Sequence, residues 1–284
     1  MKYKIEKNTV QETLIIPLYA RKVCSELYPN LYRDETAVRL IDQIDYDFSE
    51  AEKNSRSLMQ RFGSLEVAMR QNDLAFEVRD YLKSHPNAAV VNLGCGLDST
   101  GRSCDNGSCK IYNLDLPDVI AVRNELLPAG EREENIPCNL NDTEWFSQID
   151  TSGGASNGAV FFASGVFYYF LTEQVKALVQ GMADAFPGGV LVFDAANRAA
   201  VKMIAKTWLK SAKIKDVGAY FAVSDAPQEI SAWDSRLQVT SRGYMLGYTD
   251  LKDPSVSGFF RFLARVGDGM MKMQIVKIGF GGKQ

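Results

Sequence analysis

Gly94-Cys95-Gly96 follows directly on the apolar run Ala88–Leu93, and Asp115 closes a second apolar run, Ile111–Leu114. Glycine makes tight turns that other residues resist, and it lets the backbone approach a ligand closely. A carboxylate about 20 residues beyond such a turn, at the end of the next strand, suits ribose hydroxyls. Strand, glycine turn, strand and carboxylate together hold an adenosine-type cofactor at the carboxyl ends of parallel strands.

Two cofactor classes compete for this turn. A dinucleotide fingerprint, G-x-G-x-x-G, needs a third glycine for close helix–strand packing beside the pyrophosphate. Ser99 stands at that third position, with Leu97 and Asp98 between. S-adenosylmethionine has no pyrophosphate. It needs a glycine turn beside its methionine part and a carboxylate on its ribose, so Gly94, Gly96 and Asp115 fit it better.

Other reactive residue types are sparse. His85 is the single histidine, in the His85-Pro86-Asn87 turn before the first strand of the sheet, at the edge opposite the expected site. It reads as a loop residue and not a catalyst. Cys24, Cys95, Cys104, Cys109 and Cys138 form an odd, scattered set. That argues against a disulfide framework, and the Cys104/Cys109 spacing matches no zinc pattern. No metal is expected.

The elements around these residues alternate. Strands are expected at Ala88–Leu93, Ile111–Asp115, Ile136–Leu140, Ala159–Ala163 and Val190–Phe193. Helices are expected at Asp118–Leu127, Asp142–Ile149 and from a Thr172 cap to Phe186, with a loop at 153–158. Alternation of this kind gives a mostly parallel α/β sheet with helices on both faces. Beyond Ala196 the sequence suggests a helix to Lys213 and strands at Leu237–Thr240, Tyr244–Tyr248 and Met273–Ile278. A helix at Val256–Val266 separates the last two, so antiparallel edge strands are expected. Residues 1–84 show no clear strand. Thr13–Leu27 is broken by Pro17, Asp34 caps a helix to Ile44, and Ser64–Leu82 carries an apolar stripe. The chain is therefore expected to be an N-terminal helical cap, 1–84, on a sheet-containing unit, 85–284.

Several segments resemble one family in its order along the chain. Val90-Val91-Asn92-Leu93-Gly94-Cys95-Gly96-Leu97-Asp98 resembles the opening signature of the leucine carboxyl methyltransferase family, which also holds polyketide-type, tetracenomycin-like O-methyltransferases. Asp115-Leu116-Pro117-Asp118-Val119-Ile120, Ser164-Gly165-Val166-Phe167-Tyr168-Tyr169-Phe170 and Pro17-Leu18-Tyr19-Ala20-Arg21 resemble three further segments of it. Phe186-Pro187-Gly188-Gly189-Val190 is similar to the turn before the fifth strand of class I methyltransferases.

The resemblance implies a Rossmann-like class I methyltransferase sheet and S-adenosylmethionine as cofactor. Gly94, Gly96 and Asp98 would line its methionine side, Asp115 would hold the ribose, and Asn139 and Leu140 would flank the adenine. Arg70 would take the cofactor carboxylate, with Arg21 a second candidate for that carboxylate or for the acceptor. Asn92, Cys95, Leu116 and Ser164 complete the implied cofactor set. Tyr19, Arg21, Tyr168 and Tyr169 are candidates for positioning the acceptor, and Asp194 either faces the pocket or caps the next helix. The family often has Asp where Asn139 stands, and an amide can still accept from the adenine amine. It commonly has Glu where Ser164 stands; if that glutamate shapes the acceptor pocket in relatives, the pocket here differs.

The implied activity is O-methyl transfer to a small molecule, most simply a carboxylate, which is ionised at pH 7 and needs no base. Protein C-terminal carboxyl methylation and non-catalytic binding of S-adenosylmethionine are the alternatives. A net charge of −3 gives no electrostatic reason for a nucleic acid partner. No apolar run approaches the ~20 residues that span a bilayer, and the N-terminus lacks a secretory core, so no membrane partner and a cytoplasmic location are expected. Nothing in the sequence fixes an oligomeric state.

Overall fold

Apolar residues alternate between two faces along the strands, and that alternation decides the layers. In the computed structural model, Val91, Leu93, Phe161, Ala163, Leu191 and Phe193 enter one buried cluster, while Val90, Ile111, Val160 and Phe162 enter another. The structure describes residues 2–5, 10–49, 52–53, 57–151, 158–204, 220–249 and 251–281.

In chain order the elements are β1 (Tyr3–Lys4), α1 (Val10–Leu27), α2 (Glu35–Gln43), β2 (Ile44–Asp45), α3 (Leu58–Ser84), β3 (Ala89–Leu93), α4 (Thr100–Ser103), β4 (Lys110–Asp115), α5 (Pro117–Leu126), β5 (Glu133–Pro137), β6 (Ala159–Ala163), α6 (Thr172–Ala185), β7 (Val190–Ala195), α7 (Arg198–Ile204), α8 (Ala226–Ser231), β8 (Leu237–Gly243), α9 (Gly258–Gly269) and β9 (Gln274–Phe280). Two 3₁₀ turns, Glu144–Gln148 and Phe167–Tyr169, lie between them.

Seven strands form one sheet in the order β5-β4-β3-β6-β7-β9-β8. The first five are mutually parallel, and β9 runs antiparallel between β7 and β8. The chain winds outward from β3 through β4 to β5, then returns to β6 on the other side of β3. The crevice at that reversal, outside the carboxyl ends of the strands, is where open α/β sheets bind ligands. The fold class read from the sequence is the one observed. One detail changes: the antiparallel strand is penultimate, and the edge strand β8 runs parallel to the rest.

On one face, α6 and the 3₁₀ turn at Glu144–Gln148 pack Val175, Leu178, Val179, Met182 and Trp145 against the sheet. On the other, α3 lays Ala75, Val78 and Leu82 over β3, β4 and β6, and Leu65, Ala68 and Met69 over Val192 and Ile275. Helices α1 and α2 form a separate cluster with Leu97, Val122 and Leu127, which joins the N-terminal helices to the glycine turn and to α5.

Several expected boundaries shift for physical reasons. Helix α1 runs straight through Pro17. Its buried face (Leu18, Tyr19, Ala20, Val23 and Cys24) offsets the lost hydrogen bond. Leu171, not Thr172, precedes α6, and its backbone N–H donates to Gln174 Oε1 at 2.8 Å. Strand β5 starts earlier than Ile136 because its polar residues pair only with β4 at the sheet edge. Tyr244–Tyr248 is a turn and not a strand: Asp268 accepts from the backbone N–H of Met245 (3.0 Å) and Leu246 (2.9 Å), the donors a ladder would use. The expected helix beyond Ile204 and most of the 153–158 loop lie outside the described residues. Among the described residues no helix is long and apolar enough to cross a membrane, and no group of three or more His, Cys, Asp or Glu is arranged to hold a metal ion.

Candidate functional site

A cavity of about 400 Å³ opens at the carboxyl ends of β3, β4, β5 and β6. Its floor is the turn after β3, Gly94 to Asp98. Gly94 has φ +65°, and a Cβ there would meet Val166 Cγ2 at 2.6 Å. The turn after β6 therefore closes down on the glycine turn as far as a bare backbone allows. Arg123, on α5 and 1% exposed, fixes the turn from below. Its Nη1 donates to Gly96 O (2.9 Å) and Asp98 O (2.8 Å), and its Nε donates to Asn135 Oδ1 (3.2 Å).

Asp115 ends β4 beside this floor. Its Oδ2 accepts from Gly96 N and its Oδ1 from Leu116 N, each at 2.8 Å. Burial pushes its pKa up, and those two backbone N–H groups oppose the shift. Two acceptor bonds leave this carboxylate further lone pairs for hydroxyl donors. Asn139 and Leu140 follow β5 on the adjoining wall, where Asn139 Oδ1 accepts from Asn141 N at 3.1 Å. Cys138 lines the same wall, with its thiol pushed up to about 12 by burial, so it is not a nucleophile at neutral pH.

Asp98 lines the cavity, yet its oxygens are taken by the protein. Oδ1 accepts from Gln71 Nε2 (2.9 Å), Thr100 N (3.0 Å) and Thr100 Oγ1 (2.8 Å), and Oδ2 accepts from Asn92 Nδ2 (3.2 Å). It holds the turn rather than presenting a free oxygen. Arg21 also lines the cavity. Its Nε lies 2.9 Å from Asp34 Oδ2, an ion pair without hydrogen-bond alignment, and its Nη2 donates to Leu97 O at 2.9 Å. Arg70 is paired at one nitrogen. Its Nη1 donates to Asp194 Oδ2 at 3.1 Å, while its Nε is buried with no hydrogen-bond partner. A guanidinium donor left over at a cavity wall suits a ligand carboxylate.

The eleven residues expected on cofactor grounds, Arg70, Asn92, Gly94, Cys95, Gly96, Asp98, Asp115, Leu116, Asn139, Leu140 and Ser164, all line this one cavity. Of the four acceptor candidates, Arg21 and Tyr169 line it. Tyr19 and Tyr168 do not. Tyr19 is buried and stacks on Phe48 at 5.4 Å, inside the cluster of α1 and α2. Tyr168 is buried in the cluster under α3, beside Val192 and Ala196. Asp194 serves Arg70 and Gly165 N and does not cap α7. Asn197 accepts from Ala200 N there instead. Thr13, Leu14, Pro17, Val67, Gln71, Val119, Asn141, Val166 and Phe170 complete much of the wall and were not singled out by the sequence. For Pro17, Val119, Val166 and Phe170, membership in the recognisable segments was the available signal.

Over 187 residues the chain is 27% identical to the tetracenomycin polyketide synthesis O-methyltransferase TcmP of Streptomyces glaucescens, spanning 66% of each protein. Over 260 residues it is 25% identical to the S-adenosyl-L-methionine-dependent methyltransferase dpfgK of Gibberella zeae, covering 86% of this chain and 85% of that one. The fold matches the crystal structure of a DUF574-family protein from Streptomyces avermitilis with a TM-score of 0.57 at 11% identity, over 92% of this chain and 97% of the other. The sequence model of the leucine carboxyl methyltransferase family matches residues 16–183, which takes in the glycine turn, Asp115 and the wall from Asn139 to Phe170. The chain belongs to the leucine carboxyl methyltransferase family, within the class I S-adenosylmethionine-dependent methyltransferases.

Proposed function

We propose that the protein is an S-adenosylmethionine-dependent O-methyltransferase acting on a small-molecule carboxylate. One observation carries the choice of acceptor. Among the described residues that line the cavity there is no histidine, lysine or glutamate. Of the two lining aspartates, Asp98 is engaged by side-chain and backbone donors, and the lone pairs that two backbone N–H groups leave on Asp115 go to the cofactor's ribose in this reading. An alcohol or phenol needs a proton acceptor, whereas a carboxylate arrives ionised.

The residues present fit the cofactor. Asp115 accepts from the ribose hydroxyls, Asn139 and Leu140 flank the base, and Arg70 Nε donates to the α-carboxylate. When bound, S-adenosylmethionine supplies a methyl group already activated by its sulfonium. The chain then has to align a carboxylate oxygen with that methyl and keep water out. Leu14 and Pro17 from α1, with Val166 and Phe170 after β6, are the apolar wall that does so. Tyr169, 41% exposed at the rim, orients the incoming acid. In this reading residues 1–84 are the cap and 85–284 the transferase unit. Helix α1 lends Thr13, Leu14, Pro17 and Arg21 to the cavity, while α3 is laid against the sheet. A cytoplasmic location is part of the proposal, supported by five free thiols.

Calorimetry with S-adenosylhomocysteine tests the cofactor, and no binding at tens of micromolar overturns it. A methyl-transfer assay on small carboxylic acids, phenols and a peptide ending in leucine tests the acceptor. Methyl esters of the small acids are expected. Turnover of phenols alone or of the peptide alone overturns the acceptor class, and binding without turnover of any acceptor overturns catalysis.

A further inference from the structure

Arg70 and Gln71 line the cavity from consecutive positions on α3. Gln71 is 3% exposed. Its amide has one workable orientation: Nε2 donates to Asp98 Oδ1 at 2.9 Å, and a carboxylate only accepts, so a flipped amide would set oxygen against oxygen. The remaining atom, Oε1, is buried without a hydrogen-bond partner among the described residues. Arg70 Nε is buried and unpartnered in the same way. Unpaired buried polar atoms are costly and rare in folded proteins. Here one acceptor and one cationic donor stand unpaired on neighbouring residues of one cavity wall.

We infer that Gln71 Oε1 accepts the α-ammonium of the cofactor's amino-acid end, so that α3 reads that end as a zwitterion, with the α-carboxylate on Arg70 Nε. The assignment rests on the S-adenosylmethionine reading above. An ammonium carries three donors and no acceptor, and a carboxylate the reverse. A zwitterionic head offers a charged donor to the one orphan atom and a charged acceptor to the other. Asp98 acts through the amide. Its oxygens are filled, but its charge polarises the Nε2–H it receives and so makes Oε1 a better acceptor. The same carboxylate anchors the glycine turn through Thr100 and Asn92, so the head of the ligand and the floor of the cavity share one anchor.

The test is calorimetry with S-adenosylhomocysteine and with its deaminated analogue, in which hydrogen replaces the amino group. Wild-type protein, Gln71→Met and Gln71→Asn are compared. Wild type is expected to bind the deaminated ligand at least about tenfold more weakly, the effect of a lost hydrogen bond to a charged group. Gln71→Met is expected to bring the two ligands within about twofold of each other, because its apolar end cannot distinguish them. Gln71→Asn withdraws the amide by one methylene and shrinks the ratio as well; it carries the test if the methionine variant does not fold. Equal binding of the two ligands by wild type, or an undiminished ratio in the variants, overturns the role of Gln71 and leaves the cofactor standing. Failure of wild type to bind S-adenosylhomocysteine at all overturns the underlying reading instead.

Discussion

Asp194 holds Arg70 and the turn after β6 with one carboxylate: Oδ2 accepts from Arg70 Nη1 at 3.1 Å, and Oδ1 accepts from Gly165 N at 2.6 Å. The side chains are 1% and 13% exposed. Gly165, at φ +71°, leaves room for the guanidinium, since a Cβ there would lie 3.2 Å from Arg70 Nη1. Removing the carboxylate strands a nearly buried cation. Asp194→Ala is expected to destabilise the ligand-free protein by about 3 kcal/mol, read from urea denaturation midpoints at constant slope. A loss below about 1 kcal/mol would mean that the pair behaves like a solvated surface pair.

The contact of Gly94 with Val166 predicts a rescue. Gly94→Ala introduces a Cβ that must share space with Val166 Cγ2 at 2.6 Å and must sit at φ +65°. The backbone part costs about 1–2 kcal/mol and cannot be relieved from outside. The steric part can. Gly94→Ala is expected to weaken S-adenosylhomocysteine binding at least about tenfold, and Val166→Ala on top of it to recover part of that loss. Calorimetry on the two single variants and the double variant decides. Strict additivity would show that the turns do not press on each other.

The cofactor side of the cavity was legible because it is built from short contiguous pieces at strand ends. Asn92 to Asp98, Asp115-Leu116, Asn139-Leu140 and Ser164 each lie within a few residues of a strand boundary, and a parallel sheet gathers such ends on one edge. The helical wall was less legible. Val67 and Gln71 sit one turn apart on α3, an apolar and a polar residue that local sequence does not distinguish from an ordinary helix surface. Only the docking of α3 on the sheet turns them inward. Tyr19 and Tyr168 failed for the same reason in reverse: their neighbours in sequence reach the cavity, but helix and 3₁₀ geometry rotates these two rings into apolar clusters. The 244–248 segment has strand-like composition, and Asp268, distant in sequence, removes its ladder donors.

Arg123 lies outside the cavity wall and still sets its shape, because one nitrogen bridges Gly96 O and Asp98 O while Nε reaches Asn135. A lysine keeps the charge, but its single, shorter-reaching ammonium lacks the second nitrogen that binds Asn135 while the first bridges both carbonyls. Arg123→Lys is therefore expected to loosen the glycine turn. S-adenosylhomocysteine affinity should drop about tenfold, and stability should fall by about 1–3 kcal/mol from the buried acceptor left unpaired. Calorimetry and urea denaturation read the two effects separately. Unchanged affinity would show that the turn keeps its form without this anchor.

Asp73 supplies a pH dependence away from the cavity. It is fully buried on α3, accepting from Arg242 Nη1 at 2.7 Å and Tyr248 N at 3.2 Å. Burial pushes its pKa from 3.8 up to about 6, and the opposing bonds from Arg242 and Tyr248 do not cancel that. Below pH 3.8 the carboxyl is protonated in folded and unfolded chains alike. Between there and about 6 the folded chain holds the proton that the unfolded chain has released, so this group's contribution to stability falls as pH rises. The two-unit shift corresponds to at most about 3 kcal/mol across that window. Asp73→Asn removes the titration while keeping an acceptor for Tyr248 N. Its stability, relative to wild type, should therefore rise between pH 4 and 6.5 in urea denaturation. A difference that stays flat across that range would show that Arg242 holds Asp73 ionised throughout.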